Sequence, residues 1–119
     1  TAFICWPLQP EGTPMFDGTA KTDAVTYRRT LAMGRIICRN IPNMQSSWVT
    51  MGHKVGQVAL RFGANDYGSL MMEENVVSAA GTTYRATLEE MERMITDAGF
   101  TARRRRQDYS LVGEAAAAA

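Results

Sequence analysis

The stretch that decides the fold runs Arg61-Phe62-Gly63-Ala64-Asn65-Asp66-Tyr67-Gly68-Ser69-Leu70-Met71-Met72-Glu73-Glu74-Asn75. It has the pattern of a helix end, a very short strand at residues 64–68 and a polar loop. Its acceptor side chains crowd around two glycines; they are Asn65, Asp66, Glu73 and Glu74. A loop so rich in carboxylates and amides, directly after a strand, is where a βα fold places its functional site.

Composition limits the class of protein and its partners. The chain has 119 residues, 45% hydrophobic and 21% charged, which is ordinary for one globular domain. A formal net charge of +1 gives no field that would attract nucleic acid. No apolar run is long enough to span a bilayer, so we expect no membrane partner. Cys5 and Cys38 form neither a disulfide framework nor a metal motif, which favours free buried thiols and a cytoplasmic location.

Two more strands precede this stretch, and a short one follows it. Residues 3–7 are an apolar run ended by proline, which predicts a buried strand of a parallel sheet. Residues 43–48 alternate between two faces and predict the second strand, so that residues 64–68 form the third. Residues 109–112 predict a short closing strand. We exclude the alanine-rich residues 113–119 from the fold as low-complexity sequence and assign residues 1–112 to it.

Helices are predicted between and after these strands, at residues 22–39, 53–62 and 87–98. Asp23 can cap the first helix. The third begins with a capping box from Thr87 to Glu90 and ends at Gly99, the expected left-handed terminator. Alternating strands and helices indicate parallel strands with right-handed crossovers. The sequence therefore predicts an α/β fold of three to four parallel βα units, either a doubly wound sheet or part of a (β/α)8 barrel.

Polar side chains follow each predicted strand, at the end where parallel βα folds place their sites. They are Gln9 and Glu11, then Gln45 and Ser47, then Asn65, Asp66 and Glu73. Asp66 and Glu73 are the candidate catalytic residues, because a carboxylate can hold a ribose diol or accept a proton. The remaining five are candidate substrate ligands. The run from Asn65 to Gly68 is also typical of a tight turn, and that alternative stays open.

Two further features carry less weight. His53 is the only histidine and has no partner at metal-ligand spacing, so we predict no metal site. The arginine run at residues 103–106 is able to bind phosphate, but a solvated loop is the commoner role for such a run.

Several segments of the chain resemble a known family, over nearly all of residues 2–112. They are Trp6-Pro7-Leu8-Gln9-Pro10-Glu11-Gly12-Thr13-Pro14, Asn40-Ile41-Pro42-Asn43-Met44-Gln45-Ser46-Ser47-Trp48-Val49-Thr50, the run from Gly63 to Asn75, and Ala79-Ala80-Gly81-Thr82-Thr83. Together they are similar to the C-terminal third of radical S-adenosylmethionine (SAM) cyclic dehypoxanthinyl futalosine synthases. Relatives with similar sequence segments are aminofutalosine synthase and the deazaflavin (FO) synthase. The first two segments favour the cyclic synthase.

The resemblance implies a C-terminal segment of a (β/α)8 radical SAM barrel. It also implies a [4Fe–4S] cluster and SAM in the full-length parent, which would cyclise a nucleoside-derived substrate in the futalosine pathway to menaquinone. This chain lacks the Cys-x-x-x-Cys-x-x-Cys motif of such enzymes, so we expect it to carry no cofactor and to be inactive alone.

A slice of a barrel leaves open sheet edges, so self-association or contact with other chains is expected. The helix faces expected at such contacts carry Tyr27, Leu31, Val58 and Phe62. The alternatives are a fragment of aminofutalosine synthase or FO synthase, or a non-catalytic, self-associating α/β remnant.

Overall fold

The structure, a computed structural model, describes residues 2–14, 18–70 and 84–113. Its strands and helices are β1 (Ala2–Ile4), α1 (Ala24–Ile37), β2 (Asn43–Gln45), α2 (Trp48–Met51), α3 (His53–Ala59) and α4 (Leu88–Asp97). The predicted small α/β class is confirmed. None of the described helices is long and apolar enough to cross a membrane. Residues 114–119 lie outside the described residues, so the fold boundary at residue 112 stays a prediction.

The described strands pair in parallel. Phe3 of β1 lies opposite Met44 of β2. The third strand contributes a single parallel bridge between Gln45 and Asp66, and the Ser46 N–H donates to the Asp66 carbonyl over 2.8 Å. The three segments therefore lie side by side in chain order, as consecutive βα units do. The predicted series of βα units is confirmed to the extent of two strands and this bridge.

The prediction of a closing strand at residues 109–112 is wrong. Arg105 and Leu111 form one antiparallel bridge instead, and we call the segment from Arg105 to Leu111 the C-terminal turn. The Asp108 carboxylate accepts the Ser110 N–H over 3.0 Å, an Asx turn that reverses the chain. A reversal this tight brings the segment back onto itself and leaves no fourth parallel strand in this part of the described chain.

The core lies where α1 packs against β2 and α2. Tyr27 and Leu31 of α1, Met44 of β2 and Trp48 of α2 are each at most 1% exposed. The Tyr27 hydroxyl accepts the Ser47 N–H over 2.8 Å, which ties α1 to the end of β2. Burial raises the pKa of Tyr27. Tyr27 and Leu31, expected on a helix face that contacts other chains, are instead covered within the chain and are unavailable to a partner.

The other two residues expected at contacts with other chains lie in α3 and just beyond its end, and both are exposed. Val58 and Phe62 are 37% and 38% exposed. The helix ends at Ala59 instead of continuing to residue 62, and it buries Gly56 and Ala59. A short helix that packs through a glycine brings its backbone close to the core and turns its larger apolar side chains outward.

The first strand is also more exposed than the sequence predicts. β1 covers residues 2–4; Ile4 at its end is 39% exposed and Trp6 beyond it is 58% exposed. In the described residues β1 pairs only with β2, so its outer edge has no neighbour. Its apolar run indicates a strand with two neighbours, which explains why the prediction of burial fails here.

The helix ends confirm the predicted caps. The Asp23 carboxylate accepts the N–H of Val25 over 2.7 Å at the start of α1. Both reciprocal bonds of the capping box between Thr87 and Glu90 are present at α4. Gly99 follows α4 with a φ of 87°, a left-handed conformation that glycine adopts without strain.

We predict that Gly56→Ala destabilises the protein by about 1–2 kcal/mol, the overpacking cost less the gain in helix propensity. An added Cβ would lie 2.7 Å from the Trp48 Cβ, which the backbone holds in place. Gly34→Ala in α1 is the matched control, because its Cβ would meet only the movable ring of Phe3, at 2.9 Å. Urea denaturation measures both. Equal effects of the two substitutions would contradict the close packing of α3.

Candidate functional site

The carboxyl ends of β2 and the third strand bring together Gln45, Trp48 and Gly68, which we call the Gly68 notch. A Cβ on Gly68 would lie 3.0 Å from Gln45 Nε2 and 3.3 Å from Trp48 Nε1. Gly68 has a φ of 104°, which favours glycine. Two nitrogen groups thus face the bare Cα of a glycine, on the side of a parallel sheet where ligands bind.

Aromatic rings fix the Trp48 side of the notch. The Trp48 ring stacks on His53, with centroids 5.0 Å apart, and lies nearly parallel to Tyr67, with centroids 6.4 Å apart. His53 Nε2 donates to the Arg85 carbonyl over 2.6 Å, and its Nδ1 is buried with no partner among the described residues. The Tyr67 hydroxyl donates to the His53 carbonyl over 3.2 Å. The indole is therefore held on two sides and has little freedom to move.

The Asp66 carboxylate is engaged by the C-terminal turn. Its Oδ2 accepts from Arg105 Nε at 3.0 Å, Arg105 Nη2 at 2.6 Å and the Tyr109 hydroxyl at 2.8 Å. Its Oδ1 accepts the Gly68 N–H over 2.9 Å. The side chain is only 7% exposed. We call Asp66, Arg105 and Tyr109 the Asp66 clamp, because it holds the turn at Gly68 against the C-terminal turn.

The clamp changes the pKa values of its two donors. The hydrogen bond to Asp66 raises the pKa of Arg105 further, so the guanidinium stays protonated. Burial and the neighbouring Asp66 raise the pKa of Tyr109, which keeps the phenol protonated as a donor. Arg105 also lies over the Tyr109 ring, 4.2 Å from its centroid, a favourable cation–π arrangement.

The Asn65 side chain makes its hydrogen bonds to β2 and α1 and not to the notch. Its Oδ1 accepts the Met44 N–H over 2.8 Å and a donor of Arg35 over 3.0 Å. Its Nδ2 donates to the Asn43 side chain over 3.2 Å. Asn65 and Asp66 are adjacent in sequence, but their side chains have separate partners, β2 with α1 for Asn65 and the C-terminal turn for Asp66.

The remaining predicted site residues are not brought into the notch by any contact among the described residues. Gln9 donates to the Pro7 carbonyl over 3.2 Å, and Glu11 pairs with Lys21 at 2.6 Å, so both support their own loop. Ser47 is buried at the start of α2. Glu73, the second candidate catalytic carboxylate, lies outside the described residues.

A cleft of about 580 Å³ lies beside the segment from Asp66 to Leu70. Its walls are this segment, α4 and the C-terminal turn, with Met91 and Ile95 among its apolar residues. Gln45 and Trp48 do not line it. Polar residues, among them Asn65, Asp66 and Arg105, share this cleft with the apolar ones.

Comparison with known proteins now decides the family. Residues 1–117 match the family model described as the CofH/MqnC C-terminal region. The chain belongs to this family. The resemblance to cyclic dehypoxanthinyl futalosine synthases is thereby confirmed.

Individual relatives in this family are longer than the chain. It is 46% identical over 112 residues to the cyclic dehypoxanthine futalosine synthase of Halalkalibacterium halodurans, a match that covers 94% of this chain and 30% of the relative. It is 39% identical over 108 residues to the same enzyme of Streptomyces coelicolor, covering 91% of this chain and 27% of the relative. It is 40% identical over 96 residues to the 5-amino-6-(D-ribitylamino)uracil–L-tyrosine 4-hydroxyphenyl transferase of Methanothermobacter thermautotrophicus, covering 78% of this chain and 25% of the relative. The chain spans less than a third of these proteins, and no solved structure matches it.

The residues of this CofH/MqnC C-terminal region do not fit an iron–sulfur cluster. The described part of the chain contains no group of three or more His, Cys, Asp or Glu able to hold a metal. The sequence has two cysteines, whereas a [4Fe–4S] cluster is held by several thiolates. Cys5 and Cys38 are free and partly buried. Burial raises the pKa of Cys5, which disfavours the thiolate that a metal would need.

Sequence reasoning missed Arg105 and Tyr109. The arginine run was interpreted as a solvated loop, whereas Arg105 is half-buried against Asp66. The pair is separated by 39 residues, and its neighbours Arg104 and Arg106 offer the same side chain at the adjacent positions. No local signal distinguishes the one arginine that turns inward.

We predict that Arg105→Ala destabilises the protein by about 2–4 kcal/mol, because it leaves the buried Asp66 carboxylate without its main partner. Arg93→Ala is the matched control; its ion pair with Asp97 spans 3.5 Å between side chains that are 79% and 57% exposed. The control is expected to cost about 0.5 kcal/mol or less. Urea denaturation measures both variants, and similar losses would argue against a buried clamp.

We predict a pH dependence that comes from Tyr67. Burial raises its pKa to about 12, whereas an unfolded tyrosine titrates near pH 10. The folded state therefore retains a proton that the unfolded state loses, so its contribution to stability is complete below about pH 10 and declines from pH 10 toward 12. Unfolding midpoints across this range should fall less steeply in Tyr67→Phe. Equal slopes in both proteins would contradict burial of the phenol.

Proposed function

We propose that this chain is the substrate-side portion of a radical SAM cyclic dehypoxanthinyl futalosine synthase. The observation that carries the proposal is 46% identity to a cyclic dehypoxanthine futalosine synthase across 94% of the chain. The parent would cyclise its nucleoside-derived substrate on the route to menaquinone. A cytoplasmic location is part of this proposal.

The proposed parent architecture is a (β/α)8 barrel, of which this chain provides consecutive parallel segments. Two features support it. β1, β2 and the bridge at Asp66 follow one another in chain order, which is the order within a barrel. Apolar residues at the edge of β1, namely Ile4 and Trp6, are exposed, as expected where a further strand would pack.

The residues present in this chain indicate which part of the parent would hold the cofactors and which would bind the substrate. Because this chain does not fit an iron–sulfur cluster, we assign the cluster and SAM to the part of the parent outside it. The chain's own residues would bind and orient the substrate at the carboxyl ends of the strands. By itself it is not expected to catalyse the reaction.

The individual site residues receive different roles in this proposal. Gln45 is the substrate ligand best supported by its position beside Gly68. Asp66 has each carboxylate oxygen already engaged, so we assign it a positioning role; a direct hold on a ribose diol would require the Asp66 clamp to open. Gln9 and Glu11 are placed at the rim. Ser47 and Asn65 remain proposed ligands, although the Asn65 amide is already engaged by β2 and Arg35, and Glu73 remains a proposed catalytic carboxylate.

Exposed apolar side chains support the proposed contact with other chains. On α1, Met33, Ile36 and Ile37 are 59%, 67% and 70% exposed, and α3 adds Val58. Monomeric proteins seldom leave such residues together in water. This surface replaces the one predicted from Tyr27 and Leu31, which the chain buries by itself.

A second candidate function is supported by the match to the uracil–tyrosine transferases, at 40% identity over 78% of the chain. Such an enzyme would use an aromatic amino acid and a ribityl-substituted uracil instead of a nucleoside derivative. Both candidates place a polar, ring-containing substrate at the same strand ends. The two candidate functions therefore differ in their substrates and not in their fold.

We predict that the full-length protein, reconstituted anaerobically with iron and sulfide and supplied with SAM and a one-electron reductant such as dithionite, converts dehypoxanthine futalosine to a cyclised product detectable by mass spectrometry. A parallel reaction with L-tyrosine and 5-amino-6-(D-ribitylamino)uracil serves as the matched control and should give no joined product. Product in the control reaction alone would transfer the assignment to the second candidate. Product in neither would favour the non-catalytic remnant.

A further inference from the structure

We infer that Trp6 is the stacking residue of the substrate site: its indole packs against a planar ring of the substrate, just beyond the carboxyl end of β1. The inference rests on the proposed function and deepens it, because it adds one residue to the proposed substrate ligands. It is carried by the register of the strands, by the side of the sheet on which α1 packs and by the exposure of the indole.

The side chains of β1 alternate between two faces of the sheet. Phe3 and Cys5 pack against the buried core, and an added Cβ on Gly34 of α1 would meet the Phe3 ring at 2.9 Å. Successive side chains of an extended chain point to opposite faces, and a residue before proline, as Trp6 is, favours the extended backbone. Ile4 and Trp6 therefore lie on the face turned away from α1, and their exposed fractions of 39% and 58% agree with this.

The strand register places Gln45 and Asp66 on the same face. Ile4 is the Cα partner of Gln45, and Gln45 forms the parallel bridge with Asp66. Paired residues of adjacent strands point to the same side of a sheet, so these three side chains form one row, with Trp6 following Ile4 along β1. We call the face that carries Ile4, Trp6, Gln45 and Asp66 the distal face.

The C-terminal turn covers one end of the distal face and leaves the other end accessible. The Asp66 clamp engages the carboxylate with three hydrogen bonds to one oxygen, and Asp66 as a whole residue is 8% exposed. Gln45, in the middle of the row, is half-buried. Exposure then rises to 39% at Ile4 and 58% at Trp6. A ligand on the distal face consequently has access at the Trp6 end.

The proposed barrel gives the distal face its role. Helices form the outer ring of a (β/α)8 barrel, so the sheet face opposite α1 is the inner one. A further strand beside β1 would pair with its backbone and leave the Trp6 side chain on that inner face. Because Trp6 also lies beyond the carboxyl end of its strand, it reaches the end of the barrel where ligands bind.

The chemistry of the accessible end fits a planar ring. An indole offers a large flat apolar surface that stacks on other rings in an offset or edge-to-face arrangement. Ile4 beside it is apolar, and the amide of Gln45 is able to bind a polar substituent of the same ligand. Trp6 thus contacts the ring of the substrate while Gln45 contacts its polar part.

The test uses the full-length protein and measures the dissociation constant of dehypoxanthine futalosine by calorimetry without SAM. Trp6→Leu removes the flat aromatic surface but keeps an apolar side chain, and it is expected to weaken binding about tenfold, as loss of ring stacking does. Trp6→Phe keeps a flat ring and should bind within about threefold of the wild type. Phe62→Ala is the matched control, because Phe62 is an exposed aromatic residue that lies beside Arg28 of α1; it should bind like the wild type.

Two further measurements separate stacking from a packing role. The thermal midpoint and iron content show whether each variant remains folded and loaded; loss of both in Trp6→Phe and Trp6→Leu would mean that the indole packs against the rest of the parent, which overturns the inference. Ligand addition should also change the tryptophan fluorescence of the wild type more than that of Trp6→Phe. An equal change in both proteins overturns the inference as well.

The remaining outcomes distinguish the stacking residue from the proposed function. Affinity within about twofold of the wild type in Trp6→Leu overturns the stacking role, even if the wild-type protein makes cyclised product. A wild-type protein that makes no cyclised product overturns the proposed function. In that case the same titrations with 5-amino-6-(D-ribitylamino)uracil decide the stacking role: weaker binding in Trp6→Leu than in Trp6→Phe supports it, and equal affinities or no binding by the wild type overturn it.

Discussion

The rest of the described structure depends on one buried carboxylate. Asp66 has a side chain only 7% exposed, and a charge so placed is tolerated only when donors replace the lost water. Arg105, Tyr109 and the Gly68 N–H supply those donors. Because Arg105 and Tyr109 lie in the C-terminal turn, the need to solvate one carboxylate joins a distant part of the chain to the third strand.

This requirement also shapes the notch. The backbone of Asp66 pairs with β2 through Ser46, while its side chain fixes Gly68 two residues later. The position of Gly68 relative to Gln45, the last residue of β2, is consequently fixed. Trp48 follows at the start of α2, where its ring meets His53 and Tyr67. One interaction therefore sets the separation of groups that come from three different elements.

The sequence predicts those features that depend on neighbouring residues. The caps at Asp23 and Thr87 and the terminator at Gly99 are local, so α1 and α4 were predicted nearly to their ends. Features set by distant contacts were not predictable. The exposure of Phe62 depends on where α3 ends, and the selection of Arg105 from four consecutive arginines depends on a carboxylate 39 residues away.

The same distinction applies to the candidate site. The location of Gln45 at the carboxyl end of β2 could be predicted, because polar residues after a parallel strand have a predictable position. Asp66 satisfied the same rule, but the rule says nothing about whether the side chain is already neutralised by the fold. The Arg105 partner neutralises it and leaves the adjacent notch without net charge. Which carboxylate the fold neutralises is decided by a contact across 39 residues, so no local pattern around Asp66 could have shown that its oxygens are already engaged.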